Sequence, residues 1–362
     1  MNEEERKERL NRIVVKGFKS IKECDLSLSN INVLIGANGA GKSNFVLLFE
    51  MLKKIMDKEL AVFAGQKGID NLLYGGKKAT DKIVAEFYVA QDSYAFMLVP
   101  TENESLVFYN EKGISGDGTV ILSAEGHGES IWAYDGQKGG GMLQSLLRFG
   151  IYHFHDTSPS AKIKSGHNIS NNVVLLNDAR NLAAFLYRLR ESHGVCYQNI
   201  LKAIQRIAPY FKDFDLKPNE NNSEHIALRW REVGRDDTLF ASQLSDGTLR
   251  FVCLATLLLQ PTELQPAIII IDEPELGLHP YAIAIFAELV KKVAIKKQII
   301  LATQSVDLLD CFEPEDVIVV DRGENGSEFR RLDAAKLAAW LEDDYSLGEL
   351  WNKNIFGGRV SR

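Results

Sequence analysis

Cysteine is scarce in this chain, with four residues among 362. Cys24, Cys196, Cys253 and Cys311 form no CxxC pair and no zinc-type spacing. This scarcity excludes a disulfide-based scaffold and gives no support for a cysteine-ligated metal. We expect all four to be buried, reduced thiols.

Long hydrophobic runs are also missing. The longest, residues 251–259 and 267–271, are much shorter than the ~20 residues that a membrane-spanning helix requires. The first twelve residues, MNEEERKERLNR, are charged throughout and lack the apolar stretch of a signal peptide. We therefore expect a cytoplasmic protein with no membrane segment.

Positive charge is not in excess. Forty-two Lys and Arg residues against 49 Asp and Glu residues give a net charge of −7, which excludes a uniformly basic nucleic-acid coat but not a local basic patch. The hydrophobic fraction of 45% and the charged fraction of 25% are those of a globular protein.

Because one domain usually takes ~100–200 residues, we expect two domains or one large α/β domain with an insertion.

The hydrophobic pattern predicts an α/β fold in which a P-loop core is divided between the two ends of the chain. Near-continuous apolar runs at 267–271, 299–303 and 317–320 are typical of parallel strands buried on both faces. Short runs from 82 to 134 predict an antiparallel β meander, a flexible loop is expected at 136–141, and 181–208 predict two helices. The predicted parts are 1–60 (N-terminal core), 61–150 (β-rich lobe), 151–235 (switch strand and helical insertion), 236–330 (C-terminal core) and 331–362 (tail).

A glycine-rich loop follows the apolar run 31–35 and precedes a helical pattern. Residues 36–43, GANGAGKS, match G-x-x-x-x-G-K-[ST] in full. Glycine lets the backbone approach a phosphate closely, and the positive end of the helix dipole attracts it. We predict that Lys42 bridges the β- and γ-phosphates of ATP and that Ser43 binds Mg²⁺. The predicted nucleotide-binding residues of this loop are Gly36, Asn38, Gly39, Ala40, Gly41, Lys42, Ser43 and Asn44.

Two carboxylates follow four consecutive isoleucines, at the carboxyl end of a predicted buried strand. Open α/β sheets bind ligands at such strand ends. We predict that Asp272 holds Mg²⁺, directly or through water, and that Glu273 is the general base that accepts a proton from the attacking water. Considered alone, the segment is also compatible with an acid-rich, solvated turn.

Residues 244–248, LSDGT, complete a set of motifs and are called the signature segment below. A phosphate loop, an LSxG-type signature, an hhhhDE strand and a polar switch occur in this order, and the chain thereby resembles the ABC-ATPase superfamily. Within it, the chain resembles the compact bacterial ATPases of the SMC/RecF/OLD branch, which lack a long coiled coil. The segments that carry this resemblance are 17–20 (GFKS), 38–39 (NG), 43–44 (SN), 152–156 (YHFHD), 245–250 (SDGTLR), 272–280 (DEPELGLHP), 303–305 (TQS) and 347–351 (LGELW).

The resemblance implies an ATP-dependent, head-to-tail homodimer in which Ser245 and Gly247 of one subunit face the ATP of the other. Asp246 departs from the usual second glycine, and residues 276–280 lack the aspartate that often couples the two sites. No nuclease motif is recognisable, so the resemblance implies action on DNA or with a separate nuclease-type effector, in DNA repair or phage defence. A transporter ATPase subunit and a nucleotide-sensing scaffold with little turnover are the alternatives.

Two switch residues of the superfamily are exchanged in this sequence. By chain order, His155 stands after the predicted strand 150–154, where a glutamine is expected, and Gln304 stands where a histidine is expected. We assign both to catalysis, with a packing role as the alternative for His155. Gln304 can donate a hydrogen bond but cannot carry a proton.

Two further patterns allow other interpretations. His153, His155 and Asp156 have an HxHD spacing that a metal site could use. A set of basic residues in the helical insertion is compatible either with a solvated face or with DNA or RNA contact. Its members are Lys162, Lys164, Arg180, Arg188, Arg190, Lys202 and Arg206.

Overall fold

The computed structural model describes residues 9–132 and 148–358. The N-terminal part contains a β hairpin, the strand that leads to the phosphate loop, and the helix that follows the loop. Its elements are β1 (Leu10–Phe18), β2 (Ile21–Ser27), β3 (Ile31–Ile35), α1 (Lys42–Met56), α2 (Leu60–Lys67) and α3 (Ile69–Leu72).

The predicted antiparallel meander is present. It consists of β4 (Ile83–Val89), β5 (Asp92–Pro100), β6 (Leu106–Ile114) and β7 (Val120–Ala124). Strand β4 pairs with β1, so the meander continues the sheet of the core. The strand predicted at 131–134 is wrong for residues 131 and 132, which are not extended, while 133–134 and the loop predicted at 136–141 lie outside the described residues.

The central insertion contains the two helices predicted at 181–208, with the break at His193. Its elements are β8 (Phe149–Tyr152), β9 (His167–Asn168), α4 (Leu182–Ser192), α5 (Gly194–Ile207), β10 (Phe211–Phe214), β11 (His225–Ile226), β12 (Arg229–Glu232) and β13 (Thr238–Phe240). Strand β8 ends at Tyr152, two residues before the predicted end.

The C-terminal part returns to alternating helices and strands. Its elements are α6 (Asp246–Leu259), β14 (Ile268–Asp272), α7 (Pro280–Ala294), β15 (Gln298–Thr303), α8 (Val306–Leu309), β16 (Val317–Gly323), β17 (Gly326–Arg331), α9 (Ala334–Glu342) and α10 (Leu347–Asn352).

One 12-stranded sheet joins both ends of the chain, in the order β7-β6-β5-β4-β1-β2-β17-β16-β3-β15-β14-β8. The strands β16, β3, β15, β14 and β8 run parallel to one another. Strand β3, from the first third of the chain, lies between two strands from the last third. This arrangement confirms the predicted α/β fold with a core divided between the two chain ends.

The expectation of four buried thiols is half right. All four cysteines are free, and Cys24 and Cys253 are buried, whereas Cys196 and Cys311 are partly exposed. Burial raises the pKa of Cys24 to about 12, which keeps this thiol protonated and unreactive. In the part of the chain that the structure describes, no helix has the length and apolar character needed to cross a membrane.

Candidate nucleotide-binding site

The phosphate loop connects β3 to α1, as the sequence predicts. Gly41 adopts a φ of +124°, and a Cβ at this position would lie 2.1 Å from Ser327 Oγ, so only glycine fits. The Lys42 ammonium is buried and donates to the carbonyls of Gly36 (2.6 Å) and Ala37 (3.2 Å). Burial lowers the pKa of Lys42, while the carboxylates Asp272, Glu273 and Glu275 act in the opposite direction.

A polar network supports the loop from behind. Ser327 Oγ of β17 donates to the Ala40 carbonyl and lies 2.7 Å from Ser20 Oγ. Asn44, predicted to bind nucleotide, donates through its side-chain amide to Ser20 Oγ (2.6 Å). The sequence assigned Asn44 to the ligand, whereas the structure places its amide in this network. Ser327 carried no sequence signal, because a lone serine in a C-terminal strand has none.

The acidic strand end, formed by Asp272, Glu273 and Glu275, lies at the same edge of the sheet as the loop. Asp272 is paired in register with Ala302, which is paired with Leu34 of β3. Within the described residues, Asp272 Oδ1 and Glu275 Oε2 are buried without a hydrogen-bond partner. Burial is the main cause that raises the pKa of both carboxyls. No role in the site was predicted for Glu275, although it belongs to the same DEPE motif.

Mg²⁺ prefers oxygen ligands such as carboxylates. Asp272 Oδ1 and Glu275 Oε2, the two buried carboxylate oxygens without a hydrogen-bond partner among the described residues, therefore fit this ion. Asp272 and Ser43 are the residues that would hold it, and the bound ion would supply a Lewis acid that neutralises phosphate charge. The metal assignment of these two residues stays a prediction.

Glu273, the predicted general base, has a strained backbone. Its φ is +46°, a region that costs a non-glycine residue of order 1–3 kcal/mol and that clusters at functional sites. The Glu273 N–H donates to the Ala302 carbonyl (2.8 Å), which ties this strained residue to β15. The carboxylate is half-buried at the sheet edge that carries the phosphate loop.

The two predicted switch residues both reach the acidic strand end. His155 Nε2 lies 2.9 Å from the Asp272 carbonyl oxygen; since a carbonyl only accepts, this nitrogen is the donor. The Gln304 backbone N–H donates to Glu275 Oε1 (3.3 Å), and the Gln304 side chain is exposed. The structure therefore brings His155 and Gln304 next to Asp272 and Glu275, while their catalytic roles stay predictions.

The HxHD pattern does not assemble into a metal site. His153 Nε2 lies 3.5 Å from Glu50 of α1, whereas the exposed Asp156 accepts from Ser158. Because β8 already ends at Tyr152, neither histidine belongs to the strand that would have placed both on one face. Across residues 9–132 and 148–358, no group of three or more His, Cys, Asp or Glu could hold a metal ion.

The signature segment begins a helix, as predicted. Ser245 Oγ caps α6 by accepting from the Thr248 N–H (3.1 Å). Gly247 allows a close backbone approach, since a Cβ there would lie 2.3 Å from the Gly277 carbonyl oxygen. Ser245 Oγ contacts the Thr248 N–H and hydroxyl, and Gly247 approaches Gly277, so these contacts lie within the helix and with the segment after the acidic strand rather than with the phosphate loop.

Lys164 lies beside Asp246, the carboxylate that departs from the superfamily pattern. Its ammonium lies 3.7 Å from Asp246 Oδ1 and donates to the Thr157 carbonyl (2.5 Å), with a side chain only 10% exposed. Of the two interpretations left open for the basic set, the solvated face does not apply to Lys164, because its side chain is largely buried. Asp246, at the start of the signature helix, thus has a cationic neighbour in the same chain.

Several other members of the basic set are held by groups of the same chain. Arg188 donates to the Asn172 and Val173 carbonyls, and Arg190 to that of Leu216. Arg180 and Arg206 form ion pairs with Asp178 and Glu288. The two ion pairs offset part of the positive charge, the carbonyl contacts occupy guanidinium donors, and direct DNA or RNA contact stays a prediction.

Arg250 is a site residue that sequence analysis missed. Its guanidinium donates to the carbonyls of Phe154 (3.2 Å), His155 (2.9 Å) and Leu276 (3.0 Å), and to Thr157 Oγ1 (3.1 Å). It therefore joins α6 to the segment after β8 and to the segment after the acidic strand. Residues 245–250 are among the segments that carry the family resemblance, but no role in the site was predicted for Arg250.

Two protein-family models match the chain. Residues 9–130 match the family described as "AAA ATPase domain". Residues 142–310 match the family described as "AAA domain, putative AbiEii toxin, Type IV TA system".

A curated relative is the energy-coupling factor transporter ATP-binding protein EcfA1 of Staphylococcus aureus (strain bovine RF122 / ET3-1). It is 27% identical over 169 residues, which are 45% of this chain and 59% of that protein. The alignment therefore leaves a substantial part of both proteins unmatched.

The fold is similar to solved SMC head domains. An SMC head bound to the C-winged-helix domain of ScpA superposes with a TM-score of 0.58 at 15% identity, over 91% of this chain and 99% of that one. The SMC head of Pyrococcus furiosus with an extended coiled coil, bound to the C-terminal domain of ScpA, gives 0.55 at 15% identity, over 93% and 99%. The chain thus matches two AAA-type family models, each over less than half of its length, and has the fold of an SMC head domain.

Proposed function

We propose that the protein binds and hydrolyses ATP and works as an ATP-dependent dimeric switch. The observation that carries this proposal is the meeting of the phosphate loop with Asp272 and Glu273 at one sheet edge. Lys42 and the loop N–H groups bind the phosphates, and Glu273 accepts the proton of the attacking water. Asp272 and Ser43 hold Mg²⁺.

The dimer follows from the position of the signature segment. Ser245 caps a helix whose N-terminus is suited to an anion, and its hydroxyl contacts Thr248 of the same helix rather than the phosphate loop of its own chain. A second subunit in head-to-tail orientation supplies the phosphate. ATP at this interface adds charge-assisted hydrogen bonds that neither subunit makes alone.

Two variants test the ATP site and the dimer. Lys42→Ala should lose ATP binding in calorimetry while its circular dichroism spectrum stays unchanged. Glu273→Gln should bind ATP without turnover, so light scattering should detect accumulated dimers. Normal ATP binding by folded Lys42→Ala, or a mass independent of nucleotide in both the wild type and Glu273→Gln, would contradict the respective assignment.

We further propose that the switch acts with DNA or with a separate nuclease-type effector, in DNA repair or phage defence. The match to a family described as a "putative AbiEii toxin" of a "Type IV TA system" supports the defence role. The solved SMC heads bound to ScpA domains support a partner protein on this fold. Co-purification of the tagged chain from its native host, with and without nuclease treatment, followed by mass spectrometry, tests both partners.

The 27% identity to EcfA1 favours a second candidate, the ATPase subunit of a transporter. In that case the same co-purification from detergent-solubilised membranes should recover an integral membrane protein in stoichiometric amount. A soluble effector or DNA, recovered instead, would favour the first proposal.

A further inference from the structure

The C-terminal residues 356–358, called the C-terminal strap here, contact the phosphate loop directly. The Ala37 N–H donates to the Gly358 carbonyl (2.8 Å). The Ala37 carbonyl on the other side of the same residue accepts from Lys42 Nζ (3.2 Å) and from the Ala40 N–H (3.1 Å). The first turn of the phosphate loop is thus held on one side by its own lysine and on the other by a residue 321 positions later in the chain.

Three contacts fix the strap in this place. Arg330 Nη2 donates to the Phe356 carbonyl (2.6 Å), and the Gly358 N–H donates to Asp321 Oδ1. Phe356 is 5% exposed and packs on Trp351 of α10, with ring centroids 5.9 Å apart. Both rings belong to the apolar cluster that contains Ile35, the last residue of β3 before the loop.

Glycine is required at the contact point. Gly358 has a φ of +87°, and a Cβ there would lie 2.2 Å from Trp351 Cζ3 and 2.9 Å from Val319 Cγ1. Any larger residue must therefore move the strap or the tryptophan. The glycine backbone can pass close to Trp351 and thereby place the Gly358 carbonyl next to the Ala37 N–H.

We propose that the C-terminal strap is a positioning element of the nucleotide site, and that ATP affinity depends on the hydrogen bond from Ala37 to Gly358. The loop binds phosphate with N–H groups that must point inward together. The Ala37 N–H is directed at the strap instead, and without this acceptor the first turn can rotate and carry the Lys42 anchor with it. The proposal rests on ATP binding as proposed above.

Matched substitutions test the strap, with ATP affinity measured by calorimetry and stability by thermal unfolding. Gly358→Ala should weaken ATP binding roughly tenfold, the effect expected when one buried backbone hydrogen bond is lost. The control is Gly118→Ala in the β6–β7 turn, where φ is also positive, at +83°, but an added Cβ meets nothing within 4 Å. It carries the same backbone strain and should bind ATP like the wild type.

Asp321 supplies a second test that keeps the glycine. Asp321→Ala removes the acceptor of the Gly358 N–H and should weaken ATP binding, whereas Asp321→Asn keeps an oxygen acceptor and should retain it. We also expect the Ala37 amide to exchange its hydrogen faster in folded Asp321→Ala than in the wild type. General destabilisation would speed exchange throughout the protein, whereas loss of the strap contact should speed it in the phosphate loop only. Wild-type ATP affinity in both folded Gly358→Ala and folded Asp321→Ala would overturn the proposed role of the C-terminal strap. A wild type that does not bind ATP would instead overturn the proposed function.

Discussion

At the scale of single residues, the site contains buried carboxylates and a strained backbone, both of which lower the stability of the ligand-free protein. Asp272 Oδ1 and Glu275 Oε2 are buried without partners in the described part of the chain, and an unpaired buried carboxylate is costly. Glu273 adds backbone strain at the next position. These costs are concentrated around the atoms to which we assign metal binding and proton transfer, as expected for a site prepared for a ligand.

Asp272→Asn should stabilise the ligand-free protein at neutral pH. Because burial raises the pKa of Asp272, the stability that its protonated form supplies is complete below the unfolded-state pKa and is lost as pH rises through the folded-state pKa. The amide avoids this loss, so the two melting temperatures should converge in acid and diverge towards neutral pH. Scanning calorimetry from acid to neutral pH measures this difference.

The control for that series is Asp236→Asn, at an exposed loop position, which should follow the wild type at every pH. Adding Mg-ATP should reverse the ranking, because only the wild type keeps the predicted metal ligand. Equal stabilisation of the wild type and Asp272→Asn by Mg-ATP would remove Asp272 from metal binding.

Gln304→Ala should lower kcat by about 10²–10³-fold, the usual effect of removing one donor to a developing negative charge. ATP affinity should change little, since the Lys42 contacts remain. Gln304→His should instead make turnover pH-dependent, because an introduced imidazole titrates near physiological pH. Steady-state kinetics against pH measures both variants, and undiminished turnover in Gln304→Ala would exclude Gln304 from the mechanism. The same kinetics test His155. If the turnover of the wild type falls at acidic pH and falls in the same way in His155→Gln, His155 is excluded from the mechanism.

At the scale of elements, α6 connects the signature segment to the rest of the site. Its N-terminus carries Ser245, and one turn later Arg250 donates to carbonyls of the segments after β8 and after β14. A planar guanidinium reaches several carbonyls at once, which a single ammonium cannot do. One side chain therefore links the helix of the signature segment to the carbonyls of His155 and Leu276.

Arg250→Lys and Arg250→Ala should both lower kcat on the order of 10²-fold, since small misplacements of reacting groups have effects of this size. ATP affinity should remain close to that of the wild type, because the hydrogen bonds of Arg250 go to residues 154, 155, 157 and 276 rather than to the phosphate loop. The kcat and KM values of the three proteins give the comparison. Wild-type turnover in Arg250→Lys would show that the fork geometry is not needed.

At the scale of the whole molecule, one sheet places the phosphate loop, the acidic strand end and the switch residues at one edge, while the signature segment stands at the start of α6. In the function proposed above, the phosphate loop and the signature segment are the two halves of a nucleotide site that one chain does not join. The proposed head-to-tail pairing would complete two such sites at once.

Mixing two inactive variants tests this composite site. Lys42→Ala removes the phosphate contact, and Ser245→Arg blocks the signature segment, so each homodimer should lack turnover. In a mixed dimer, the intact loop of the Ser245→Arg subunit meets the intact signature of the Lys42→Ala subunit, and ATPase activity should return. Activity that stays absent after mixing, with heterodimers verified by native mass spectrometry, would argue against trans engagement.

The local motifs were readable from the chain because their chemistry depends on residues that are close in sequence. The GANGAGKS loop, the Asp272-Glu273 strand end and the Ser245 cap each need only a few consecutive residues and one backbone conformation. The two helices at 181–208 were predicted well for the same reason, since helical periodicity is local. The end of β8 was misplaced by two residues because strand ends depend on pairing with neighbours.

Contacts between distant segments were decided by the tertiary structure alone. Sequence determined the P-loop chemistry, the α/β class and the order of the motifs, all of which follow from composition and short-range pattern. Only the folded chain placed β3 between β15 and β16, Lys164 beside Asp246, and Gly358 against Ala37. The physical reason is that such hydrogen bonds and ion pairs join groups separated by tens to hundreds of residues, whose meeting depends on how the whole sheet assembles rather than on either local sequence.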